Sequence, residues 1–333
     1  MILSRSPLRL TLGGGGTDLP SYYEKRTGFT ITGAINKYVF VSAHRQFYPG
    51  IKLRYSEFEQ VDVLEDIKHP LFREALRSLG IIGGIELTSL ADIPAGTGLG
   101  SSGAFLVALL NTLHVFRNIQ DSKFGLATQA CEIELKKLKY HEGKQDKYAC
   151  AFGGIKAFEF LKNGQVSIIS FPNEDLLQRE LEDKLSLYYT GKERRILSSE
   201  ALEYQDKQCK KEGSMMMDFL DEIRNIGYKT KQVFLQGNLD SFGRLLNDHW
   251  EIKKQYSPYS TASDIDKYYQ VALDNGALGG KIMGAGGGGF FLFYHPGDLK
   301  ERWKFEDAMR KCGGLRKVDF KFDMEGVKTI IGE

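Results

Sequence analysis

Pro94-Ala95-Gly96-Thr97-Gly98-Leu99-Gly100-Ser101-Ser102-Gly103 stands between a segment of strand character and one of helix character. Upstream, Ile85 to Leu90 (IELTSL) alternates apolar and polar side chains, the period of a half-buried strand. Downstream, Ala104 to Phe116 is rich in Leu, Val and Ala, the composition of a buried helix. Gly96, Gly98 and Gly100, at alternate positions, clear side chains from a path where a polyphosphate can lie against the main chain. Ser101 and Ser102 fall in the first helical turn, where unpaired N–H groups and the helix dipole favour an anion. The segment predicts a phosphate-binding loop for a nucleotide.

The rest of the chain is compatible with an enzyme of ordinary composition. Its 333 residues are enough for two medium domains. The polar, acidic span from Phe171 to Lys184 carries Pro172 and predicts the boundary, giving units 1–175 and 176–333. Strands are expected at 1–12, 37–44, 51–56, 155–161, 165–170, 185–190, 278–283, 289–294, 316–322 and 327–331. Helices are expected at 102–117, 122–139, 195–212, 214–236, 239–255, 262–275 and 299–312, with a loop-helix passage near 142–152. This is an α+β pattern in two parts. Lys plus Arg number 45 against 43 Asp plus Glu, interleaved throughout, which argues against a nucleic-acid partner. No apolar run is long enough to span a membrane, and the start, MILSRSPLRL, lacks the pattern of a secretory leader. Cys131, Cys150, Cys209 and Cys312 are scattered without a CxxC pair, as free thiols in a reducing compartment would be. The expectation is a cytoplasmic protein.

Several lookalikes fail. Gly98-Leu-Gly100-Ser-Ser-Gly103 has GxGxxG spacing, but about twenty residues on the chain is helical, where a dinucleotide fold needs a strand ending in a carboxylate. No HRD or DFG sequence accompanies the glycines, and no GK[ST] follows them. His141-Glu142 begins like a zinc helix, but Gln145 stands where the second histidine is needed. Two further glycine-rich segments remain. Pro7-Leu8-Arg9 leads through Gly13, Gly14, Gly15 and Gly16 to Thr17-Asp18, where Asp18 could cap a helix from Pro20 or hold sugar hydroxyls. Lys281-Ile-Met-Gly284-Ala-Gly286-Gly287-Gly-Gly289 is longer than a hairpin turn requires. Three glycine loops point to one crowded ligand crevice.

In this order the three segments resemble the motifs of the GHMP kinases, the group that includes galactokinase, homoserine kinase and mevalonate kinase. The first runs from Pro-x-Arg to an Asp; the second has the form PxGxGLGSSG; the third is a late glycine loop. Within the group, LTLGGGGTDLP, EGKQDKYACAFGG and YYTGKERR look most like kinases of D-glycero-D-manno-heptose 7-phosphate, which act on the anomeric hydroxyl. The resemblance implies a two-domain GHMP kinase fold. Its N-terminal domain is like that of a small-ribosomal-subunit protein, and its C-terminal domain is ferredoxin-like. It implies ATP and Mg²⁺ as cofactors and a small-molecule sugar phosphate as partner. Alternatives are a kinase of an unphosphorylated sugar (fucose, mannose or galactose type) and a catalytically dead sugar and ATP sensor.

Residue by residue, the resemblance makes Asp146 the catalytic aspartate, a base or orienting group for the acceptor hydroxyl. Arg9 would act beside it, stabilising charge on the transferred phosphoryl group; a purely structural salt bridge is the alternative. Pro94, Gly96, Gly98, Leu99, Gly100, Ser101, Ser102 and Gly103 would hold the nucleotide. Ser102 and Glu134 would bind magnesium, with Glu132 competing for that role. Gly15, Gly16, Thr17, Asp18, Lys192, Arg195, Gly284, Gly286 and Gly287 would meet the sugar. Lys192, Arg194 and Arg195 could clamp its phosphate, or be a solvated charge run. Gly15 and Gly16 stand where galactokinases place a Glu-His pair, which argues against galactose. Lys147 departs from the glutamine often found there.

Overall fold

The computed structural model describes residues 1–191, 198–256, 263–284 and 288–332. The strands are β1 (Ile2–Gly14), β2 (Gly28–Arg45), β3 (Ile51–Arg54), β4 (Phe58–Val61), β5 (Ile85–Ala91), β6 (Ile155–Phe160), β7 (Val166–Ser170), β8 (Leu185–Tyr189), β9 (Gly279–Ile282), β10 (Phe290–Tyr294), β11 (Arg316–Lys317) and β12 (Lys328–Gly332). The helices are α1 (Pro20–Tyr23), α2 (Pro70–Ser78), α3 (Ser101–Phe116), α4 (Lys123–Cys131), α5 (Gln145–Phe152), α6 (Glu174–Lys184), α7 (Ser198–Cys209), α8 (Met215–Gln236), α9 (Leu239–Tyr256), α10 (Ser263–Asp274) and α11 (Leu299–Lys311).

The first sheet is organised around β2. Its 18 residues pair with β1 along one edge; on the other, the first half pairs with β6 and the second with β5. The path then runs β5–β3–β4, with β3 parallel to β5 and the remaining pairs antiparallel. The second sheet has the order β11–β8–β10–β9 and is antiparallel. One core joins them: Leu8, Leu10 and Leu12 of β1 and Phe29 and Ile31 of β2 share a cluster with Leu185 and Leu187 of β8 and Phe290 and Leu292 of β10. This shared packing fixes the crevice between the sheets.

Several expectations change. The first half of β2 was not anticipated: Phe29-Thr30-Ile31-Thr32 alternates, but the run is short and broken by Gly33-Ala34, and in the structure Gly28 to Ile35 is buried throughout. Strand β4 and helix α2 were also missed. The supposed boundary at 171–184 is largely α6, whose Leu177 and Leu181 enter the shared core. The strand expected over 316–322 forms β11 at Arg316 and Lys317, and further on makes a single antiparallel bridge from Phe322 to Ile35 of β2. Most consequential, β12 pairs with β1, at Ile2↔Gly332 through Arg5↔Lys328. The unit 176–333 is therefore not self-contained: its end completes the first sheet. All four cysteines are free.

Candidate active site

A cavity of about 750 Å³ opens between the sheets, and all three glycine segments reach it. In the central loop Gly96, Gly98 and Gly100 have φ of +79°, +95° and +79°, left-handed backbone that side chains other than glycine resist. Nothing lies within 4 Å of where a Cβ on Gly96 would sit, so glycine is needed there for conformation and not for clearance. Helix α3 starts from Gly100 with no capping side chain, leaving its first N–H groups to an anion. The buried Ser101 hydroxyl likewise has no hydrogen-bond partner among the described residues. Gly96, Gly98, Gly100, Ser101 and Ser102 line the cavity, but Pro94, Leu99 and Gly103 do not. Pro94 accepts a hydrogen bond from Thr97 Oγ1 (3.0 Å), and the Leu99 carbonyl takes the Arg9 N–H (2.9 Å). A Cβ on Gly103 would stand 2.7 Å from that of Asp146. These three shape the loop from outside the cavity lining.

Asp146 and Lys147 are consecutive on α5 and turn to different partners. Arg9, on β1 and almost fully buried, donates through Nε and Nη2 to Asp146 Oδ1, each at 2.7 Å, and through Nη1 to the Gly98 carbonyl at 2.7 Å. Asp146 Oδ2 has no hydrogen-bond partner among the described residues, and Asp146 lines the cavity. Lys147, by contrast, is buried and pairs with Glu134 Oε2, while Ser102 Oγ donates to Glu134 Oε1 at 2.8 Å. Burial pushes the Lys147 ammonium down, but the carboxylates of Glu134, Glu142 and Asp146 outweigh it and hold it above the usual lysine range. Glu134 lies in a π-helical turn, Glu132–Lys137, that continues α4 and re-aims its side chain inward. Glu132, the competitor, is solvent-exposed and pairs with Lys136 (3.2 Å). Geometry thus brings Glu134, and not Glu132, to Ser102.

At the other end of the cavity, Asp18 caps a different helix from the one expected. Its Oδ2 accepts the Gln145 N–H (2.9 Å), at the start of α5, and α1 has no side-chain cap. Burial raises its pKa above the ordinary aspartate value. A Cβ at Gly143 would sit 1.9 Å from Asp18 Oδ2, so only glycine admits this contact. Gly15 and Gly16 line the cavity, and the Gly16 carbonyl accepts from Gln205 of α7 (2.7 Å). Thr17 does not line it: its buried hydroxyl exchanges hydrogen bonds with the Phe29 backbone, 2.9 Å from N and 3.1 Å from O. Thr17 therefore anchors the first glycine loop to β2 and stands outside the cavity lining. In the third segment Gly284 lines the cavity, and a Cβ on Gly289 would lie 2.3 Å from the Thr97 carbonyl, so the second and third loops touch. Lys192, Arg194, Arg195, Gly286 and Gly287 lie outside the described residues.

The sequence reading passed over Glu142, Gln145, His249, Lys253 and Lys281, all of which line the cavity. Glu142 is partly buried, which pushes its carboxyl up to about 7 despite Lys147 nearby. Its only sequence signal was the failed zinc pattern.

Comparison with known proteins adds the family. Residues 67–154 match the GHMP kinases N terminal domain, and residues 230–307 match the GHMP kinases C terminal domain. The chain belongs to the GHMP kinases. Members of this family use ATP as phosphate donor, and both family domains lie on the two sides of the cavity just described. The chain is 28% identical to the D-glycero-alpha-D-manno-heptose 7-phosphate kinase of Campylobacter jejuni, with 98% of each chain covered. It resembles the crystal structure of a D-glycero-D-manno-heptose 1-phosphate kinase from Bacteroides thetaiotaomicron at a TM-score of 0.80 and 25% identity, covering 99% of each chain. It is 26% identical to the L-fucokinase/L-fucose-1-P guanylyltransferase of Bacteroides fragilis, covering 87% of this chain and 34% of that one. No helix among the described residues is long and apolar enough to cross a membrane.

Proposed function

We propose that this GHMP kinase, an ATP-dependent sugar kinase, transfers the γ-phosphoryl group of ATP to the anomeric hydroxyl of D-glycero-D-manno-heptose 7-phosphate. The product would be the 1,7-bisphosphate, an early intermediate toward GDP-heptose for surface polysaccharide. The observation that carries the chemistry is Asp146, fixed through Oδ1 by Arg9 while Oδ2 is left open to the cavity at the mouth of the phosphate loop. Support for the acceptor comes from the full-length similarity to the Campylobacter heptose kinase.

The chain's residues act as follows. The N-terminus of α3 and the Ser101 hydroxyl receive the phosphate chain of ATP. Tyr55, His69, Leu71, Leu90 and Phe105, which line one end of the cavity, offer an apolar slot for the base. Asp18, Glu142, Gln145 and Gln205, together with the loop at Gly15 and Gly16, offer hydrogen bonds to sugar hydroxyls. The acceptor O–H gives its proton to Asp146 Oδ2 as its oxygen bonds to the γ-phosphorus, and the bond from that phosphorus to ADP breaks. Arg9 holds Asp146 in place and presents positive charge to the phosphoryl group. Magnesium fits at Ser102 Oγ and Glu134 Oε1, two hard oxygens 2.8 Å apart beside the phosphate loop, and when bound would neutralise phosphate charge.

A panel of acceptors followed by ADP release tests this reading. Heptose 7-phosphate should exceed manno-heptose, fucose, mannose and galactose in kcat/KM. Phosphorus NMR should place the new phosphate on the anomeric carbon. The two heptose kinases above carry 7-phosphate and 1-phosphate in their names, and the NMR result separates those positions. A higher rate with an unphosphorylated sugar would replace this acceptor with that sugar.

A further inference from the structure

Opposite the Arg9–Asp146 pair, the second sheet and its covering helix present a different group of side chains. Lys281 on β9 and His249 and Lys253 on α9 all line the cavity, yet their residues are only 3%, 5% and 6% exposed. His249 and Lys253 are four apart and share one helix face. Lys281 Nζ donates to His249 Nδ1 at 3.2 Å. Burial, then the charges of Lys281 and Lys253, hold His249 well below the ordinary histidine range. The neutral ring therefore accepts at Nδ1 and carries its proton on Nε2 as a further donor. Lys253 donates to the carbonyls of Ile282 (3.3 Å) and Gly284.

Charge balance sets this group apart. Arg9 faces Asp146 and Lys147 faces Glu134, but no carboxylate among the described residues pairs with Lys281. Burial, Lys253 and Arg9 all push its ammonium down. A buried ammonium whose one hydrogen-bond partner among the described residues is a neutral imidazole is costly. The cost is lifted when a ligand brings negative charge into the cavity. We propose that Lys281, with Lys253 and His249, forms a seat for a phosphate dianion on this wall of the cavity. The Lys281 ammonium and the imidazole N–H suit phosphate oxygens, with the Lys253 charge beside them, and charge-assisted hydrogen bonds of this kind are the strong ones. The phosphate has two sources, the acceptor's own group and the donor's phosphate chain; the acceptor arm rests on the function proposed above.

Calorimetric titration of the parent and of Lys281→Met separates them. The substitution keeps side-chain length and removes a buried charge, so the ligand-free variant should melt no lower than the parent. Heptose 7-phosphate should bind Lys281→Met about tenfold to a hundredfold more weakly, while manno-heptose and a non-hydrolysable ATP analogue bind both proteins equally. That result assigns the seat to the acceptor. Weakened binding of the ATP analogue, with both sugars unaffected, keeps the seat and assigns it to the donor. Unchanged binding of all three ligands, or equal loss for heptose with and without its phosphate, overturns the proposal. Lys253→Met, read the same way, is the second variant. If the parent itself ignores heptose 7-phosphate, the proposed acceptor is wrong but the seat is still tested by inorganic phosphate. Millimolar phosphate should raise the parent's Tm more than that of Lys281→Met, and equal shifts would remove the seat.

Discussion

Two cation–carboxylate pairs lie one residue apart on α5, and they are built differently. Arg9–Asp146 sits at the cavity wall, with the Asp146 side chain 21% exposed and one oxygen open. Lys147–Glu134 is sealed, with side chains 2% and 1% exposed. The open pair can exchange a proton with a ligand. The sealed pair has no oxygen open to exchange a proton with the acceptor: Lys147 holds Glu134 Oε2, and Glu134 Oε1 is directed at Ser102 and the phosphate loop. Adjacent residues thus divide chemistry from scaffolding.

The strongest test of that division is Asp146→Asn. Turnover should drop about 10²- to 10⁴-fold, with little change in the ATP dissociation constant measured by calorimetry. Near-normal turnover would make the two pairs equivalent and remove the proposed base. Next comes Glu134→Ala, which strands the buried Lys147 ammonium. Chemical denaturation should show a loss of about 3–5 kcal/mol. Adding Lys147→Met should restore much of the stability without restoring magnesium-dependent activity; recovery of both would confine Glu134 to a structural role.

Ser102→Ala should do less. Its partner Glu134 keeps Lys147, so stability should fall by about 1 kcal/mol, while the magnesium concentration for half-maximal activity rises. An unchanged magnesium requirement would exclude the hydroxyl from the metal site. The smallest effect is expected at Glu142, whose carboxyl is pushed by burial up to about 7, above the ordinary glutamate range. A raised carboxyl stabilises the fold fully below its unfolded pKa and loses that contribution as pH rises through its folded pKa. Tm should therefore decline between about pH 4.5 and 7 in the parent and decline less in Glu142→Gln, a difference on the order of 1 kcal/mol after solvent screening. Identical pH profiles would rule Glu142 out as the titrating group.

Local signals made much of this legible. The alternation of Ile85 to Leu90, the three glycines and Ser101-Ser102 describe a strand, a turn and a helix mouth within twenty residues, and those elements are present. Asp146, Arg9, Ser102 and Glu134 came from motif resemblance, and the structure brings Arg9 to Asp146 and Ser102 to Glu134. What stayed hidden depends on contacts far apart in the chain. Thr17 and Asp18 are neighbours with polar side chains, yet the Thr17 hydroxyl is taken up by the Phe29 backbone while Asp18 gives one oxygen, Oδ2, to Gln145 and still lines the cavity. Lys281 is 32 residues from His249, and neither lies in a pattern that signals a buried cation. In the first half of β2 the alternation of Phe29 to Thr32 is short and interrupted by Gly33, and its polar residues are buried by partners far along the chain.

The return of β12 to the first sheet has a consequence for biosynthesis. Strand β1, which carries Arg9, leaves the ribosome more than 300 residues ahead of its outer partner, which begins at Lys328. Until then the stretch from Ile2 to Arg5 is an unpaired sheet edge, open to strands of neighbouring nascent chains. A ribosome that stalls in the last helices would release a polypeptide with every phosphate-loop residue in place and its founding strand uncovered, a species fitter for chaperones and proteases than for catalysis.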